Sequence, residues 1–192
     1  MDKLIELNKI WHEYEGTFVL ENATTDIMRG EFVAIIGPNG SGKTTLIRAI
    51  LGNSFRTKGE LRPGKLATLY LDQQCSILNE TQSVLENVRA VSKMSESEIR
   101  NNLAKLLFVG DSVFQEVRSL SGGERLRAAL ACGLLAEEKP ELIILDEPTN
   151  NLDLGNIKFL ENLISQFKGA VIIISHDETF LKACGINAEF SL

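Results

Sequence analysis

The stretch Gly37-Pro38-Asn39-Gly40-Ser41-Gly42-Lys43-Thr44 matches the pattern G-x-x-x-x-G-K-[ST] of a phosphate-binding loop. It follows an apolar segment at 32–36, which predicts a strand, and it opens a helical pattern at 44–51. This strand–loop–helix order is the context that the motif requires. The glycines let backbone N–H groups converge on the phosphates of a nucleotide, and the helix N-terminus adds partial positive charge. Lys43 is expected to reach the β and γ phosphates, and the Thr44 hydroxyl to bind Mg²⁺.

Two acidic residues close another apolar segment, Glu141-Leu142-Ile143-Ile144-Leu145-Asp146-Glu147. Ligands of an open α/β sheet bind at the carboxyl ends of its strands. Asp146 is therefore predicted to hold Mg²⁺ through water, as a second anchor beside Thr44. Glu147 is predicted to polarise an attacking water. The alternative, a pair of solvated acids at a strand end, is disfavoured by the phosphate loop in the same chain.

A third motif, Leu120-Ser121-Gly122-Gly123-Glu124-Arg125, predicts the start of a helix. Ser121 and Glu124 have the spacing of a capping box, and an ordinary helix start is one interpretation. However, two glycines in the first turn leave backbone N–H groups uncovered, which makes an anion site at a second helix N-terminus. One phosphate loop and a separate anion-binding helix start predict two copies that share nucleotides, each closing the other's site.

Composition and charge limit the classes of protein. The chain has 192 residues, which predicts one domain, and 44% of them are hydrophobic, enough for a sizeable core. A net charge of −6 argues against a surface built mainly to wrap nucleic acid. Three isolated cysteines without a C-x-x-C pair indicate neither a zinc site nor a disulfide framework. No signal peptide is visible and no apolar run approaches the ~20 residues of a membrane span, so a cytoplasmic protein is expected.

Hydrophobic periodicity predicts alternating strands and helices. Strands are predicted at 4–10, 17–20, 24–28, 32–36, 65–71, 142–145, 170–174 and 188–192, with a turn at 62–64. Helices are predicted at 44–51, 82–91, 95–108, from 121 onward, 154–167 and 178–183; the helix at 95–108 begins with Ser95 and Glu98 at capping-box spacing. Continuous apolar strands that alternate with helices predict a buried, mostly parallel sheet.

The motifs, in this order along the chain, resemble those of the ATP-binding-cassette (ABC) ATPases. Residues 37–44 are similar to the Walker A loop, 120–124 to the signature motif, and 143–147 to Walker B with its catalytic glutamate. The resemblance spans most of the chain. It implies an α/β fold, a P-loop NTPase core of the ABC type with a mostly parallel sheet, an N-terminal antiparallel β subdomain and a short helical lobe. A single ABC domain would span 1–192, with an ATP-binding core at 1–74 and 119–192 and the lobe at about 75–118.

Single residues extend the resemblance. Gln73 matches the glutamine loop, Asp153 the D-loop, and His176 the switch histidine, which contacts the γ-phosphate in the family. Tyr14 lies where the family places an aromatic ring against adenine, with Trp11 and His12 as nearby candidates. The resemblance implies ATP and Mg²⁺ as cofactors and three catalytic residues, Lys43, Glu147 and His176. The implied nucleotide-binding set is Tyr14, Gly37, Pro38, Asn39, Gly40, Ser41, Gly42, Lys43, Thr44, Thr45, Gln73, Ser121, Gly122, Gly123, Glu124 and Asp153; the implied metal set is Thr44, Gln73 and Asp146.

The stretches 98–110, 119–127 and 146–153 resemble the ABC-F subfamily, soluble translation factors that act on ribosomes. Asn151 departs from that pattern, because histidine is more frequent there. ABC-F proteins usually join two cassettes by a long basic helical linker, whereas this chain has one cassette, and the interval between Gln73 and Ser121 is too short for an inserted arm. The chain therefore resembles one half of such a protein, with the second cassette favoured; a free-standing relative, or a piece of a longer protein, would look the same.

The resemblance also implies partners. The first is a second cassette, either another copy or a fused or separate partner, which sandwiches two ATP molecules with this one; the ribosome follows from the ABC-F resemblance. An alternative is the ATPase subunit of a membrane transporter, docked on a permease, for which the lobe is short. A DNA-repair ATPase of the coiled-coil kind would need long heptad arms, which this sequence lacks.

Overall fold

Eight strands and six α-helices form the part of the chain that the computed structural model describes, which is residues 3–14, 17–52, 57–63, 66–150 and 152–192. The strands are β1 (Lys3–Tyr14), β2 (Thr17–Met28), β3 (Phe32–Ile36), β4 (Thr57–Pro63), β5 (Thr68–Leu71), β6 (Leu142–Asp146), β7 (Ala170–Ile174) and β8 (Ala188–Ser191). The helices are α1 (Lys43–Ile50), α2 (Val84–Val91), α3 (Glu96–Lys105), α4 (Gly122–Leu134), α5 (Leu154–Ser165) and α6 (Glu178–Ala183).

A five-stranded sheet in the order β5-β6-β7-β3-β8 forms the centre, and all of its strand pairs are parallel. Alternate side chains of β7 enter different clusters: Val171 and Ile173 pack with helices α2 to α6, whereas Ile172 packs with α1 and the N-terminal strands. Both faces of the sheet are therefore covered, and every residue of β6 and β7 is buried. This explains why those strands are continuous apolar runs and confirms the predicted α/β class.

The N-terminal strands form an antiparallel sheet in the order β2-β1-β4. β2 is one strand of 12 residues, whereas the sequence predicts two short strands at 17–20 and 24–28. The pairing of β1 with β2 shifts register at several positions, and such bulges interrupt the alternation on which the prediction depends. The predicted turn at 62–64 is also wrong in part, because Arg62 and Pro63 end β4. Proline is tolerated there since β4 is an edge strand of the sheet.

Capping boxes begin three of the helices. The predicted boxes of Ser95 with Glu98 and of Ser121 with Glu124 are confirmed. The sequence analysis missed a third, Ser83 with Glu86, which begins α2. The helix predicted at 95–108 ends earlier, at Lys105, and Leu107 then takes a left-handed backbone with φ of 66°. Strand β1 runs four residues beyond its predicted end, and β4 was not predicted; the other helices and strands agree with the predicted bounds to within about three residues.

The segment predicted as a lobe, about 75–118, contains α2, α3 and the two 3-10 turns Gly110–Phe114 and Val117–Ser119. Its buried residues belong to the same apolar cluster as one face of the parallel sheet. The division into a core and a lobe stays a prediction. Within the described ranges, no helix is both long and apolar enough to cross a membrane.

Leu103 and Leu107 make a matched pair for testing this packing. Leu103 is fully buried, whereas Leu107 is 61% exposed. We expect Leu103→Ala to lower the free energy of unfolding by about 2–5 kcal/mol, because it leaves a cavity in the apolar cluster. Leu107→Ala is expected to change it by no more than about 0.5 kcal/mol. Urea unfolding followed by circular dichroism measures both, and equal effects would contradict this account of the core.

Candidate functional site

The phosphate loop lies between the end of β3 and the start of α1, and Lys43 folds back into it. Lys43 is only 9% exposed. Its Nζ donates to the carbonyl oxygens of Gly37 at 2.6 Å and Pro38 at 2.9 Å. The loop is closed by a backbone bond from Ser41 N to Pro38 O at 3.1 Å. An ammonium group has three donors, so the two contacts hold the charge inside the loop and leave one donor for a phosphate oxygen.

Asp146 ends β6 beside the first turn of α1. Its Oδ2 accepts hydrogen bonds from the Thr44 hydroxyl at 3.3 Å and the Tyr70 hydroxyl at 3.4 Å. Burial raises the pKa of Asp146, and the bonds from Thr44 and Tyr70 oppose that shift. Burial, and then the nearby charge of Asp146, raise the pKa of Tyr70 to about 12. A buried carboxylate beside a hydroxyl is an oxygen-ligand pair that suits Mg²⁺.

Glu147 follows Asp146 in a backbone conformation that is unusual for a residue with a side chain, with φ of 49°. Its backbone N donates to Ile174 O at 2.9 Å, which fixes this turn to the end of the neighbouring strand β7. His176 follows the same strand, and its Nε2 lies 3.4 Å from Glu147 Oε1. The Glu147 side chain is 15% exposed and that of His176 55%. The carboxylate is therefore held at the site between the strand ends, while the imidazole faces solvent.

Lys43, Thr44, Asp146 and Glu147 line one cavity of about 280 Å³, whereas His176 is not among its lining residues. Four separate segments supply its walls: the phosphate loop with α1, the turn after β5, the end of β6 and the end of β7. The lining residues are Asn39, Gly40, Gly42, Lys43, Thr44, Thr45, Gln73, Asp146, Glu147 and Ile174. All except Ile174 belong to the predicted site.

The predicted residues at 121–124 and Asp153 do not line this cavity. Glu124 Oε2 accepts from Ser121 N at 2.9 Å, and the Ser121 hydroxyl also bonds that carboxylate, which lowers the pKa of Glu124. Ser121 and Gly122 are exposed. This helix start is thus open to a ligand or partner that does not enter through the cavity.

The remaining predicted residues have different outcomes. Gly37, Pro38 and Ser41 shape the loop around Lys43. Tyr14 is the last residue of β1, and its side chain lies outside the described part of the structure.

The sequence analysis missed two residues. Tyr70 contacts Asp146 across the pair β5–β6, where Tyr70 is opposite Ile144. Both Tyr70 and Asp146 occupy alternate positions on one face of the sheet, so the register would have indicated the contact. Asn156, in the first turn of α5, bonds both Asp153 and Arg127. The contact with Asp153, the N-cap of α5, has the local spacing of a helix cap, but no local pattern identifies the contact with Arg127 on α4.

The burial of Asp146 leads to a stability prediction. Because its pKa is raised in the folded chain, the folded state prefers the neutral acid. Protonated Asp146 therefore stabilises the fold at a pH below its pKa in the unfolded chain, and this stabilisation is lost as the pH rises. At neutral pH the ionised Asp146 carboxylate destabilises the fold. We expect Asp146→Asn to raise the Tm at pH 7 without Mg²⁺ by about 2–4 °C, the shift that corresponds to about 1 kcal/mol at this length. The gain should shrink as the pH approaches 4.

Asp111→Asn is the control when the Tm is measured by calorimetry. Asp111 is exposed, so this substitution removes one negative charge that is not buried. The same Asp146→Asn variant should gain no further stability from Mg²⁺ with a nucleoside triphosphate. A lower Tm for Asp146→Asn than for the parent at pH 7 would contradict the assigned cost of burial.

Comparison with known proteins was consistent across sequence and structure. The profile of the family described as "ABC transporter" matches residues 20–150, more than half of the chain. ATP-binding protein Uup of Haemophilus influenzae is 37% identical over 185 residues, which cover 93% of this chain and 28% of that protein. ABC transporter F family member 5 of Arabidopsis thaliana is 36% identical over 183 residues, which cover 93% of this chain and 26% of that protein.

A solved structure described as the ATP binding subunit of an ABC transporter superimposes with a TM-score of 0.79 at 26% identity. The match covers 93% of this chain and 82% of the other. The chain spans only 28% and 26% of the two curated relatives, but most of this solved subunit. On this evidence the chain belongs to the ABC family as an ATP-binding cassette, with Uup and an F-family member among its relatives.

Proposed function

We propose that this chain is a cytoplasmic ABC-F-type ATPase cassette that pairs with a second cassette and uses ATP to close a clamp on the ribosome. The observation that carries the proposal is the single cavity in which Lys43, Thr44, Gln73, Asp146 and Glu147 meet. Its walls combine a phosphate loop, oxygen ligands for Mg²⁺ and a carboxylate placed to activate water. This combination is what phosphoryl transfer to water requires.

Binding uses the groups that surround the loop. Lys43 binds the β and γ phosphates through its ammonium group, whose Nζ lies 2.6 Å from Gly37 O in the structure. Thr44 and Asp146, whose Oγ1 and Oδ2 lie 3.3 Å apart, would hold Mg²⁺ with Gln73, because neutral and anionic oxygens fit a hard cation. When bound, Mg²⁺ neutralises charge on the phosphates.

Glu147 is the residue proposed to activate water. Its carboxylate accepts the proton of a water whose oxygen bonds to the γ-phosphorus, while the bond from that phosphorus to ADP breaks. Products are ADP and inorganic phosphate. His176, whose Nε2 lies 3.4 Å from Glu147 Oε1, is proposed to contact the γ-phosphate and to orient the carboxylate. The left-handed backbone of Glu147 and its bond to Ile174 O hold the base in place before ATP arrives.

A second cassette is proposed because the cavity includes only part of the predicted binding set. Ser121, Gly122, Gly123, Glu124 and Asp153 lie outside it. In a head-to-tail pair, the helix start of one cassette reaches the ATP held by the loop of the other. Uncovered N–H groups at the start of α4 would then bind the γ-phosphate from the opposite side.

The charges of the lobe bear on the ribosome as a partner. Four of its basic side chains pair with acids, Arg89 and Arg100 with Glu96, Lys93 with Glu137, and Arg118 with Glu116, whereas Lys105 bonds the Asn102 amide. Side chains neutralised in this way release few counterions from rRNA. The ribosome contact proposed here therefore depends on segments beyond this cassette.

A transporter subunit is the second candidate, and one surface favours it. Leu107, Val109 and Phe114 expose 61%, 64% and 50% of their area around the lobe. If these side chains form one contiguous apolar patch, that patch would suit a protein contact. The solved structure that matches this chain is also named as a subunit of an ABC transporter.

The Glu147→Gln variant tests the ATPase and the pairing. It keeps the side-chain size and removes the base, so hydrolysis should fall by about 10²-fold or more while ATP binding persists. The ATP-bound pair should accumulate and be visible by sedimentation velocity. Lys43→Ala is the control, because it removes the charge that faces the phosphates and should leave a monomer. A monomeric Glu147→Gln chain at saturating Mg·ATP would refute the pairing of identical copies.

Ribosome co-sedimentation at about 0.15 M salt tests the partner. We expect the 192-residue chain alone to pellet weakly, with or without a non-hydrolysable ATP analogue, because four of its five lobe bases are paired with acids. Attaching a second cassette through a basic linker should restore ATP-dependent pelleting. Tight pelleting of the chain alone would show that the linker is not the source of affinity. Recovery of the two-cassette protein with membranes instead of ribosomes would favour the transporter role.

A further inference from the structure

Asn156 connects two elements that are distant in sequence. Its backbone N and its side-chain Nδ2 donate to the two carboxylate oxygens of Asp153, at 2.8 Å and 3.0 Å. Its Oδ1 accepts a hydrogen bond from Arg127 NH1 on α4. One amide group therefore joins the turn that precedes α5 to the helix that begins at Gly122.

The packing around Asn156 explains why Gly123 has no side chain. A Cβ at Gly123 would overlap the amide group of Asn156. Gly123 is buried and Asn156 half-buried, so the first turns of α4 and α5 lie against each other with this amide between them. A side chain at position 123 would displace the Asn156 amide, so this glycine leaves room for the contact between the two helices.

The connection continues into the lobe. The Arg127 guanidinium carbon lies 5.8 Å from the centre of the Phe108 ring, and Phe108 is 2% exposed. This distance is within the range of a cation–π contact. Arg127 is therefore held between a lobe side chain and the amide oxygen of Asn156.

The chemistry of the contact requires an amide. It must accept from a guanidinium and donate to a carboxylate, and an asparagine side chain has both groups on one carbon. An aspartate in this place would keep the contact with Arg127 but face Asp153 with a like charge. Alanine would lose both contacts.

We propose that Asn156 is a positioning residue that fixes the spacing between the start of α4 and the Asp153 turn. The proposal rests on the proposed function, in which Ser121–Gly123 and Asp153 are the surfaces offered to a second cassette. With Asn156 in place, the two surfaces move as one body with the lobe. Asn156 does not line the ATP cavity, so it acts on pairing and not on the affinity of one chain for ATP.

Hydrogen exchange of the chain without nucleotide tests the connection independently of any ATPase activity. We expect Asn156→Asp to speed amide exchange by about fivefold or more in both segments, 119–127 and 149–157, as loss of a charge-assisted bond predicts. An aspartate in the first turn of a helix stabilises that helix, so faster exchange in this variant would not result from a weaker α5. The double variant Asp153→Asn with Asn156→Asp restores an amide–carboxylate bond with its direction reversed, and should return both segments to the parent rate. Asn162→Ala, at an exposed position of the same helix, is the control.

Acceleration confined to 149–157, or no recovery in the double variant, would refute the connection. Pairing is measured in the Glu147→Gln background, where Asn156→Asp should keep the Kd for ATP within about twofold. It should raise the protein concentration needed for ATP-dependent pairing by about tenfold, as for a lost charge-assisted contact. Unchanged pairing would refute the positioning role. If the Glu147→Gln parent itself does not pair, the proposed function fails while the exchange result still decides the connection.

Discussion

The parallel pairing of β3, β6 and β7 is the constraint on which the site depends. Because the three strands run the same way, their carboxyl ends meet at one edge of the sheet. The phosphate loop leaves β3, the two acids end β6, and His176 follows β7. Side chains more than a hundred residues apart are thus brought within hydrogen-bond distance, as Thr44 and Asp146 are at 3.3 Å. The register matters to the site, because a slip of one residue would turn Asp146 to the opposite face of the sheet, away from Thr44 and Tyr70.

The site contains two buried charged groups, which a folded core would otherwise exclude. Lys43 lies inside its own loop against two carbonyl oxygens, and Asp146 is a buried acid whose pKa burial raises. Neither arrangement is favourable as packing alone. Both hold a charged group in the orientation that a bound phosphate or cation requires, so that little rearrangement is left for the moment of binding. Stability given up at Asp146 is recovered when a ligand binds the folded chain.

The sequence predicted the parts of the site that are local in the chain. The phosphate loop, the strand that ends in Asp146 and Glu147, and the capping box of Ser121 with Glu124 each occupy a few consecutive residues whose chemistry follows from their order. The contacts of Tyr70 and Asn156 could not be predicted in this way. The first depends on the register of β5 against β6, and the second on how closely α4 approaches α5. Strand β4 was not predicted for a related reason. Its sequence contains Gly59 and Pro63 and has only a weak strand pattern, so its strand conformation depends on pairing with β1.

The acidic balance of the chain determines what can hold two cassettes together in the proposed pair. Two copies with a net charge of −6 repel each other at long range, so general electrostatic attraction cannot drive their association. The favourable contacts must be short-range and must include a group that both surfaces bind. A nucleoside triphosphate would have this property in the proposed pair, because Lys43 would contact it from one side and the N–H groups at the start of α4 from the other. Pairing would then follow the presence of the γ-phosphate, and hydrolysis would remove the group that joins the surfaces. Under this proposal, repulsion between the acidic cassettes would favour opening once ATP is hydrolysed.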